Sequence, residues 1–221
     1  GNYAYVTDYS SGLRVVDISD SANPVEVGFY DPPGSESGVY VAGGYAYVAD
    51  QLSGLRVVDI ANPANPIEMG FYDTPDNATD VFVVGSYAYV ADYLSGFRVV
   101  DISDPANPAE TGSYGTTKAF GIFVSGRYAY VADDTDGLRV VDITNPASPI
   151  EVGIHDTPGN AYGVFATNLA YVADGIGGGL AIIAIPPPAP VLDPVPRFIN
   201  AGMLTVTGTA IESSFVAIGG G

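Results

Sequence analysis

The chain has 221 residues, of which 47% are hydrophobic and only 14% are charged, so it is long and apolar enough to bury a core. Its 25 Asp and Glu against 7 Lys and Arg give a net charge of -18, which disfavours binding to nucleic acid and to anionic membrane surfaces. With no Cys and one His, disulfides, thiolate metal sites and His-rich metal sites are excluded. No apolar run approaches the roughly 20 residues of a membrane span, so membrane insertion is not expected.

Four short sequence blocks recur along residues 1–185. The tetrapeptide Tyr-Ala-Tyr-Val and its last copy, Leu-Ala-Tyr-Val, begin at intervals of 41 or 42 residues, at Tyr3, Tyr45, Tyr87, Tyr128 and Leu169. The other three blocks, typified by Leu-Arg-Val-Val, Val-Glu-Val and Val-Tyr-Val, keep the same spacing. All four are rich in Val, Ile and aromatic residues and are separated by Gly, Pro, Asn, Asp and Ser, which is the composition of strands and turns. Each unit is therefore predicted to hold four β-strands, and no stretch has helical periodicity.

We name the predicted strands by their order in a unit: A (Val-Tyr-Val), B (Tyr-Ala-Tyr-Val), C (Leu-Arg-Val-Val) and D (Val-Glu-Val). Four strands in every 41–42 residues are typical of a β-propeller blade. The B and C strands are mostly apolar on both faces, as expected for a sheet packed between two neighbours, whereas the D strand alternates and carries a Glu, as expected at an open edge. The predicted fold class is all-β: a propeller of five four-stranded antiparallel blades.

The two ends of the chain bear on how the predicted ring closes. The chain opens on a B strand, so the repeats of residues 1–185 lack an A strand for the first blade and a D strand for the fifth. Residues 186–202 are a predicted Pro-rich linker, and residues 203–221 hold two more strand-like runs, which we expect to complete the fifth and first blades and close the ring. Two alternatives stay open. The tail can be the start of an Ig-like domain of a longer surface protein, or it can complete a blade of the next subunit in a head-to-tail filament.

The blocks Tyr-Val-Ala-Asp and, after a short loop, Gly-Leu-Arg-Val-Val-Asp-Ile resemble the LVIVD repeat of bacterial and archaeal cell-surface proteins. The resemblance covers residues 1–185, with Arg-Val where the family name has its second and third letters, for example at Arg14 and Val15. It implies a secreted or cell-surface β-propeller, and it supplies no catalytic residues.

Arginine and aspartate recur three positions apart on the C strands of the first four units, and both change in the fifth, to Ala181 and Ala184. Joint loss suggests that the two depend on each other, because a buried charge without its partner is strongly destabilising. Residues three apart on a strand point to opposite faces, so the direct partner of each can lie on an adjacent strand or blade. The predicted structural ion-pair residues are Arg14, Asp17, Arg56, Asp59, Arg98, Asp101, Arg139 and Asp142.

The aspartates near the loops are better explained as turn residues than as metal ligands. The aspartates that end the B strands are predicted to accept backbone N–H groups of the following turns; they are Asp8, Asp50, Asp92, Asp133 and Asp174. The acidic run Asp133, Asp134 and Asp136 is a weak calcium candidate, since it lacks the first ligand and the closing Glu of a calcium loop. No cofactor is otherwise expected.

The B-to-C loops and the D-to-A connections differ most between units, and in antiparallel four-stranded sheets they emerge at the same end. Loops on a rigid scaffold carry recognition, so we expect any binding to occur there. The candidate residues, partly apolar and suited to contact with protein or glycan, are Tyr9, Leu52, Tyr93, Leu94 and Ile176.

The sequence thus predicts a secreted or surface-associated, non-catalytic propeller that serves as a structural or adhesive interaction module. Its predicted partners are surface proteins or other copies of itself, joined through the tail strand. The alternative is a carbohydrate-binding, lectin-like propeller that uses the loop-side tyrosines. A third hypothesis, hydrolysis by carboxylates in the central channel, has little support because so acidic a surface offers carboxylate pairs almost anywhere.

Overall fold

The computed structural model describes residues 1–175 and 177–185, and every regular element in this part of the chain is a β-strand. The strands are β1 Tyr3–Asp8, β2 Gly12–Asp17, β3 Val25–Tyr30, β4 Gly38–Ala42, β5 Tyr45–Ala49, β6 Leu55–Asp59, β7 Ile67–Tyr72, β8 Asp80–Val84, β9 Tyr87–Ala91, β10 Phe97–Asp101, β11 Ala109–Tyr114, β12 Gly121–Ser125, β13 Tyr128–Ala132, β14 Leu138–Asp142, β15 Ile150–His155, β16 Ala161–Ala166, β17 Leu169–Asp174 and β18 Gly179–Ala184. Within those residues there is no helix of the length and hydrophobicity needed to span a membrane.

The strands form five antiparallel sheets, numbered here in chain order. Sheets 2, 3 and 4 each have four strands in the order A, B, C, D, namely β4 to β7, β8 to β11 and β12 to β15. Sheet 1 consists of β1 to β3 and sheet 5 of β16 to β18, so within the described residues the former lacks an A strand and the latter a D strand. The predicted strands and their antiparallel pairing are confirmed. The predicted linker (186–202) and the tail strands expected to close the ring (203–221) lie outside the described residues.

The sheets follow one another with their A strands side by side. The strand β4 packs against β8, β8 against β12, and β12 against β16, whereas the D strands form the far edge of each sheet. The outer position of the D strands explains why their side chains alternate between exposed and partly buried, while the B strands of sheets 2 to 4 are buried on both sides.

The hydrophobic core lies between consecutive sheets. We call the side of a sheet that faces the next sheet in chain order its forward face and the opposite side its backward face. The forward face of sheet 2 packs on the backward face of sheet 3, with Tyr47, Ala49, Leu55 and Val57 on one side and Ala88, Val90, Val100 and Ile102 on the other. Equivalent residues fill the other three interfaces. Because side chains alternate along a strand, each B and C strand of sheets 2, 3 and 4 supplies one row to each of two interfaces.

A glycine in the D strand lets the next sheet come close. A Cβ atom on Gly70 would lie 2.6 Å from the carbonyl oxygens of Pro105 and Ala106, which belong to the C-to-D loop of sheet 3. Gly28 and Gly112 face the same loop of the following sheet in the same way. Gly153 of sheet 4 differs, since the nearest described atom to its Cβ position would be Val140 Cβ at 3.9 Å. The similar C-to-D loops therefore cover the preceding D strands.

The substitution Gly70→Ala should lower the free energy of unfolding by about 1–3 kcal/mol, because the new methyl group would meet backbone atoms that cannot move aside cheaply. The matched control is Gly153→Ala, at the equivalent position of sheet 4, which should be neutral or slightly stabilising. Denaturant unfolding followed by circular dichroism measures both values. Equal losses for the two variants would contradict the role given to the C-to-D loop.

Candidate functional site

The B-to-C loops and the D-to-A connections meet at one end of the sheets, which we call the loop face. The loops of sheets 2, 3 and 4 are each hydrogen-bonded through their backbone to the segment that leads into the next sheet, in the pairs Gln51 with Ala78, Tyr93 with Ala119 and Asp134 with Ala161. The three loop residues have φ angles of 35°, 40° and 47°, in the left-handed region that non-glycine residues adopt rarely. The backbone hydrogen bonds hold them there, so the loops are firm supports for the side chains they carry.

A chain of four polar side chains crosses the interface between sheets 2 and 3, beside the apolar core. Tyr72 of sheet 2 donates its hydroxyl hydrogen to Glu110 of sheet 3, with 2.6 Å between the oxygens. Arg98 lies between two carboxylates, 3.7 Å from Glu110 and 3.2 Å from the fully buried Asp92. Asp92 in turn accepts a hydrogen bond from the backbone N–H of Asp76, in the connection that enters sheet 3. We call these four residues, Tyr72, Glu110, Arg98 and Asp92, an interface tetrad.

The tetrad recurs with the repeat. Equivalent sets are Tyr30, Glu68, Arg56 and Asp50 between sheets 1 and 2, and Tyr114, Glu151, Arg139 and Asp133 between sheets 3 and 4. Burial and the contact with Glu110 raise the pKa of Tyr72 to about 12, so its hydroxyl remains a hydrogen-bond donor at neutral pH.

The interface between sheets 4 and 5 has no complete tetrad among the described residues. His155 stands in the tyrosine position and Ala181 in the arginine position. Asp174 is retained, and it accepts hydrogen bonds from Thr157 and Gly159 instead of an ion pair. The loss of the arginine in the fifth repeat thus accompanies the loss of the tyrosine that would reach the same network.

The structure identifies the partners of the arginines, which the sequence left open. Arg56, Arg98 and Arg139 pair with the aspartate that ends the preceding B strand and with the glutamate of the D strand, and Arg14 pairs with Glu26. The aspartates three positions later face the other way, and each accepts a backbone N–H two residues further on; they are Asp17, Asp59, Asp101 and Asp142. The reason is the alternation of side chains along a strand, which puts the arginine on the backward face and the aspartate on the forward face. Asp142 also forms an ion pair, 3.2 Å from Arg127.

The acidic run of sheet 4 is paired with cationic groups of the protein itself. Asp133 and Asp136 both pair with Arg139, and Asp134 lies 2.8 Å from the ammonium group of Lys118, whose hydrogen bond lowers the pKa of Asp134. In the described part of the chain no three His, Cys, Asp or Glu side chains are arranged to hold a metal ion. In the described structure these three aspartates therefore serve as ion-pair partners of Arg139 and Lys118.

The predicted binding residues differ in their exposure. Leu52 is 79% exposed, Tyr9 61% and Leu94 59%, and Leu52 and Leu94 occupy equivalent positions in the loops of sheets 2 and 3. Tyr93 is half-buried because its ring packs edge-on against Phe120, with 5.3 Å between the ring centroids. Ile176 lies outside the described residues.

Two aromatic residues of the loop face were missed by the sequence analysis. Phe120 contacts Tyr93 on one side and Tyr162 on the other, with centroid distances of 5.3 and 5.1 Å, and Tyr162 is 50% exposed. We call Tyr93, Phe120 and Tyr162 the aromatic row. The difference between repeats is visible in the sequence. The residue two positions before the Val-Tyr-Val block or its equivalent is Ser37 or Thr79 in earlier repeats and Phe120 or Tyr162 in later ones.

A partly buried carboxylate joins the A strands of sheets 3 and 4. Asp80 begins β8 at a position that is glycine in the other described A strands. Its carboxylate accepts hydrogen bonds from the backbone N–H groups of Val81 and Ile122, both at 2.9 Å. Burial raises the pKa of Asp80 to about 6, against which the two hydrogen bonds act. The sequence analysis did not single out this residue.

Comparison with known proteins agrees with this architecture. The chain is similar to a computationally designed protein, Ika8, with 12% identity and a TM-score of 0.67 over 84% of this chain and 56% of that one. It is also similar to the β-propeller domain of Cps50 (Swd1) from Myceliophteria thermophila, with 13% identity, a TM-score of 0.66, and coverage of 83% and 66%. A functionally unknown protein from Desulfotomaculum acetoxidans has 15% identity, a TM-score of 0.64, and coverage of 81% and 64%. The chain thus spans between 56% and 66% of the length of these three structures.

The repeated four-stranded sheets and these similarities define the class of the protein: it is a β-propeller repeat protein. The model of the LVIVD repeat matches residues 1–32, 33–74, 75–116 and 117–157, so the chain belongs to the LVIVD-repeat family. The resemblance stated from the sequence is confirmed. Among curated proteins, none matches the chain.

The substitution Arg98→Ala should lower the free energy of unfolding by about 3–5 kcal/mol, because it leaves the buried Asp92 without its cation. Arg14→Ala is the matched control, since Arg14 contacts Glu26, which is half exposed, and should cost about 1 kcal/mol or less. Thermal and denaturant unfolding of the two variants provide the measurement. Similar losses for both variants would show that the buried Asp92 does not depend on Arg98.

The substitution Asp80→Asn should flatten the pH dependence of stability. The carboxyl of Asp80 binds a proton more tightly in the folded chain, where its pKa is about 6, than in the unfolded chain, where the usual value is 3.8. Its contribution to stability is therefore full below about pH 4 and is lost as the pH rises through about 6. Free energies of unfolding measured between pH 4 and 7 should show the variant gaining relative to the natural chain as the pH rises. A constant difference over that range would refute this assignment.

Proposed function

We propose that the chain is a secreted or surface-associated, non-catalytic β-propeller that acts as a structural or adhesive module through its loop face. The partner that we infer for the loop face is a protein surface with an exposed apolar patch. The repeat β-propeller fold is supported by the family match and by the similarity to solved propellers.

One observation carries the proposal: large apolar side chains stand exposed on loops whose backbone is held in place. Leu52 and Leu94 are 79% and 59% exposed, and residues of both loops are hydrogen-bonded to the connection that enters the next sheet. Exposed apolar side chains that repeat on a firm support lose little conformational freedom on binding, which favours recognition. Tyr9 adds a third exposed side chain on the equivalent loop of sheet 1.

The carboxylates near the loop face support a non-catalytic role. Asp92 and Asp133 are fully buried and paired with arginines, and Asp174 accepts three hydrogen bonds from the connection that precedes its own sheet. These groups hold the fold together, which leaves them poorly placed to exchange protons with a substrate.

The composition supports an extracellular location. A net charge of -18 with few cationic residues keeps a protein hydrated and soluble outside the cell, including in salt. The resemblance to surface proteins with the same repeat points the same way.

The double substitution Leu52→Asp with Leu94→Asp should abolish most adhesion, because it places charge where the partner must exclude water. The measurement is the attachment of beads coated with the chain to intact cells, and to purified cell envelope, of the source organism. The matched control is Ile67→Asp with Ile150→Asp, on D strands at the outer edges of sheets 2 and 4, where both isoleucines are also exposed. Attachment that falls equally for both double variants, or for neither, would contradict a binding role for the loop face.

The aromatic row favours a second candidate function, carbohydrate binding. Tyr162 presents half of its surface to solvent, and Tyr93 and Phe120 extend the row across neighbouring sheets. Aromatic rings of this kind can stack on the apolar faces of sugars. A glycan array probed with the natural chain and with Tyr162→Ala distinguishes the candidates: binding weakened about tenfold or more by this change supports a lectin, and an array without any signal supports the protein-binding module.

A further inference from the structure

The first and last sheets each present one face that is not packed against another sheet of the described residues. These two faces correspond to the two sides of the interface that joins consecutive sheets. At each of the four internal interfaces a forward face meets a backward face of nearly constant composition. Among the described residues, 1–175 and 177–185, no sheet lies on the backward face of sheet 1, which is built from Ala4, Val6, Val16 and Ile18. No sheet of those residues lies on the forward face of sheet 5 either, which is built from Tyr171, Ala173, Leu180 and Ile182.

Both end faces are exposed where their internal counterparts are buried. Val6 is 48% exposed, whereas the equivalent Val48 is fully buried. Leu180 and Ile182 are 62% and 59% exposed, whereas Leu55 in the equivalent C strand is fully buried. Large apolar side chains exposed to this extent on both end faces show that, in the described structure, the two faces do not cover each other.

We propose that the forward face of sheet 5 of one molecule packs on the backward face of sheet 1 of a second copy. At each of the four internal interfaces, a face of one kind is covered by the opposite face of another repeat. A second copy presents that surface with the same strand composition and spacing, so the contact continues an interface already present in the fold. Such a contact joins different surfaces of the two molecules, and it builds a chain or a closed ring of copies head to tail.

The charge distribution sets how this association responds to salt. The residues that form the forward face of sheet 5 carry no charge, and the backward face of sheet 1 carries Arg14 paired with Glu26 beside its apolar row. Each copy as a whole has a net charge of -18, so two copies repel each other until they touch. Added salt screens this repulsion and leaves the apolar contact intact, so association should strengthen as the ionic strength rises.

The test uses two full-length variants, each with one end face blocked. Val6→Asp blocks the backward face of sheet 1, and Leu180→Asp blocks the forward face of sheet 5. Both side chains are exposed, so both variants should fold, and circular dichroism verifies this. Ile18→Asp and Ile182→Asp provide a second pair on the same two faces. Leu52→Asp, on the loop face, is the control that should associate like the natural chain.

Sedimentation velocity should show that the natural chain gains mass with concentration and with added NaCl, and that each blocked variant alone stays monomeric. An equimolar mixture of Val6→Asp and Leu180→Asp should form dimers and nothing larger, because one variant retains a free forward face and the other a free backward face. A natural chain that stays monomeric under all conditions, blocked variants that still assemble alone, or a mixture without dimers would each overturn the proposal. The inference is separate from the loop-face function, since Leu52→Asp with Leu94→Asp tests adhesion and leaves both end faces unchanged.

Discussion

Apolar burial between consecutive sheets is the interaction on which the rest of this structure depends. A B or C strand with valine, alanine and tyrosine on both faces has no stable place at a water surface, so each sheet needs a neighbour on either side. The repeat meets this need by offering one row of side chains forward and another backward, as Leu55 and Val58 of sheet 2 do. Stability then comes mainly from contacts between neighbours in sequence, as in other repeat proteins.

The interface tetrads add direction and spacing to this non-directional attraction. An apolar face alone tolerates sliding, whereas Tyr72 must meet Glu110 across the boundary at a fixed distance, and Arg98 of the same sheet as Glu110 holds that glutamate in place. Asp92 continues the network to the backbone of the connection that enters its sheet, and the loops are bonded to the following connection. The same network therefore fixes the sheets relative to each other and steadies the loops on which Leu52 and Leu94 stand.

Much of the architecture was predictable from the sequence because the repeat displays it several times over. Recurrence of Tyr-Ala-Tyr-Val and Leu-Arg-Val-Val gives strand number, order and burial, since composition and period are local properties. The partners of the arginines were not predictable, because a contact such as Arg98 with Asp92 depends on strand register and on the face a side chain takes. Phe120 and Tyr162 were missed for a related reason: their proximity joins different repeats, and within one repeat neither residue stands out. The role of Asp80 was not predictable either, because it depends on the hydrogen bond that its carboxylate accepts from the N–H of Ile122 in the next sheet.

The incomplete network between sheets 4 and 5 has a mechanical consequence. Where Ala181 and His155 replace the arginine and the tyrosine, the described residues hold the last sheet through apolar contacts, the hydrogen bonds of Asp174 and the backbone pairing of Asp134 with Ala161, without a buried arginine. In an array stabilised by neighbour contacts, the least anchored unit opens first, so β16 to β18 should fray ahead of the central sheets and exchange their amide hydrogens sooner.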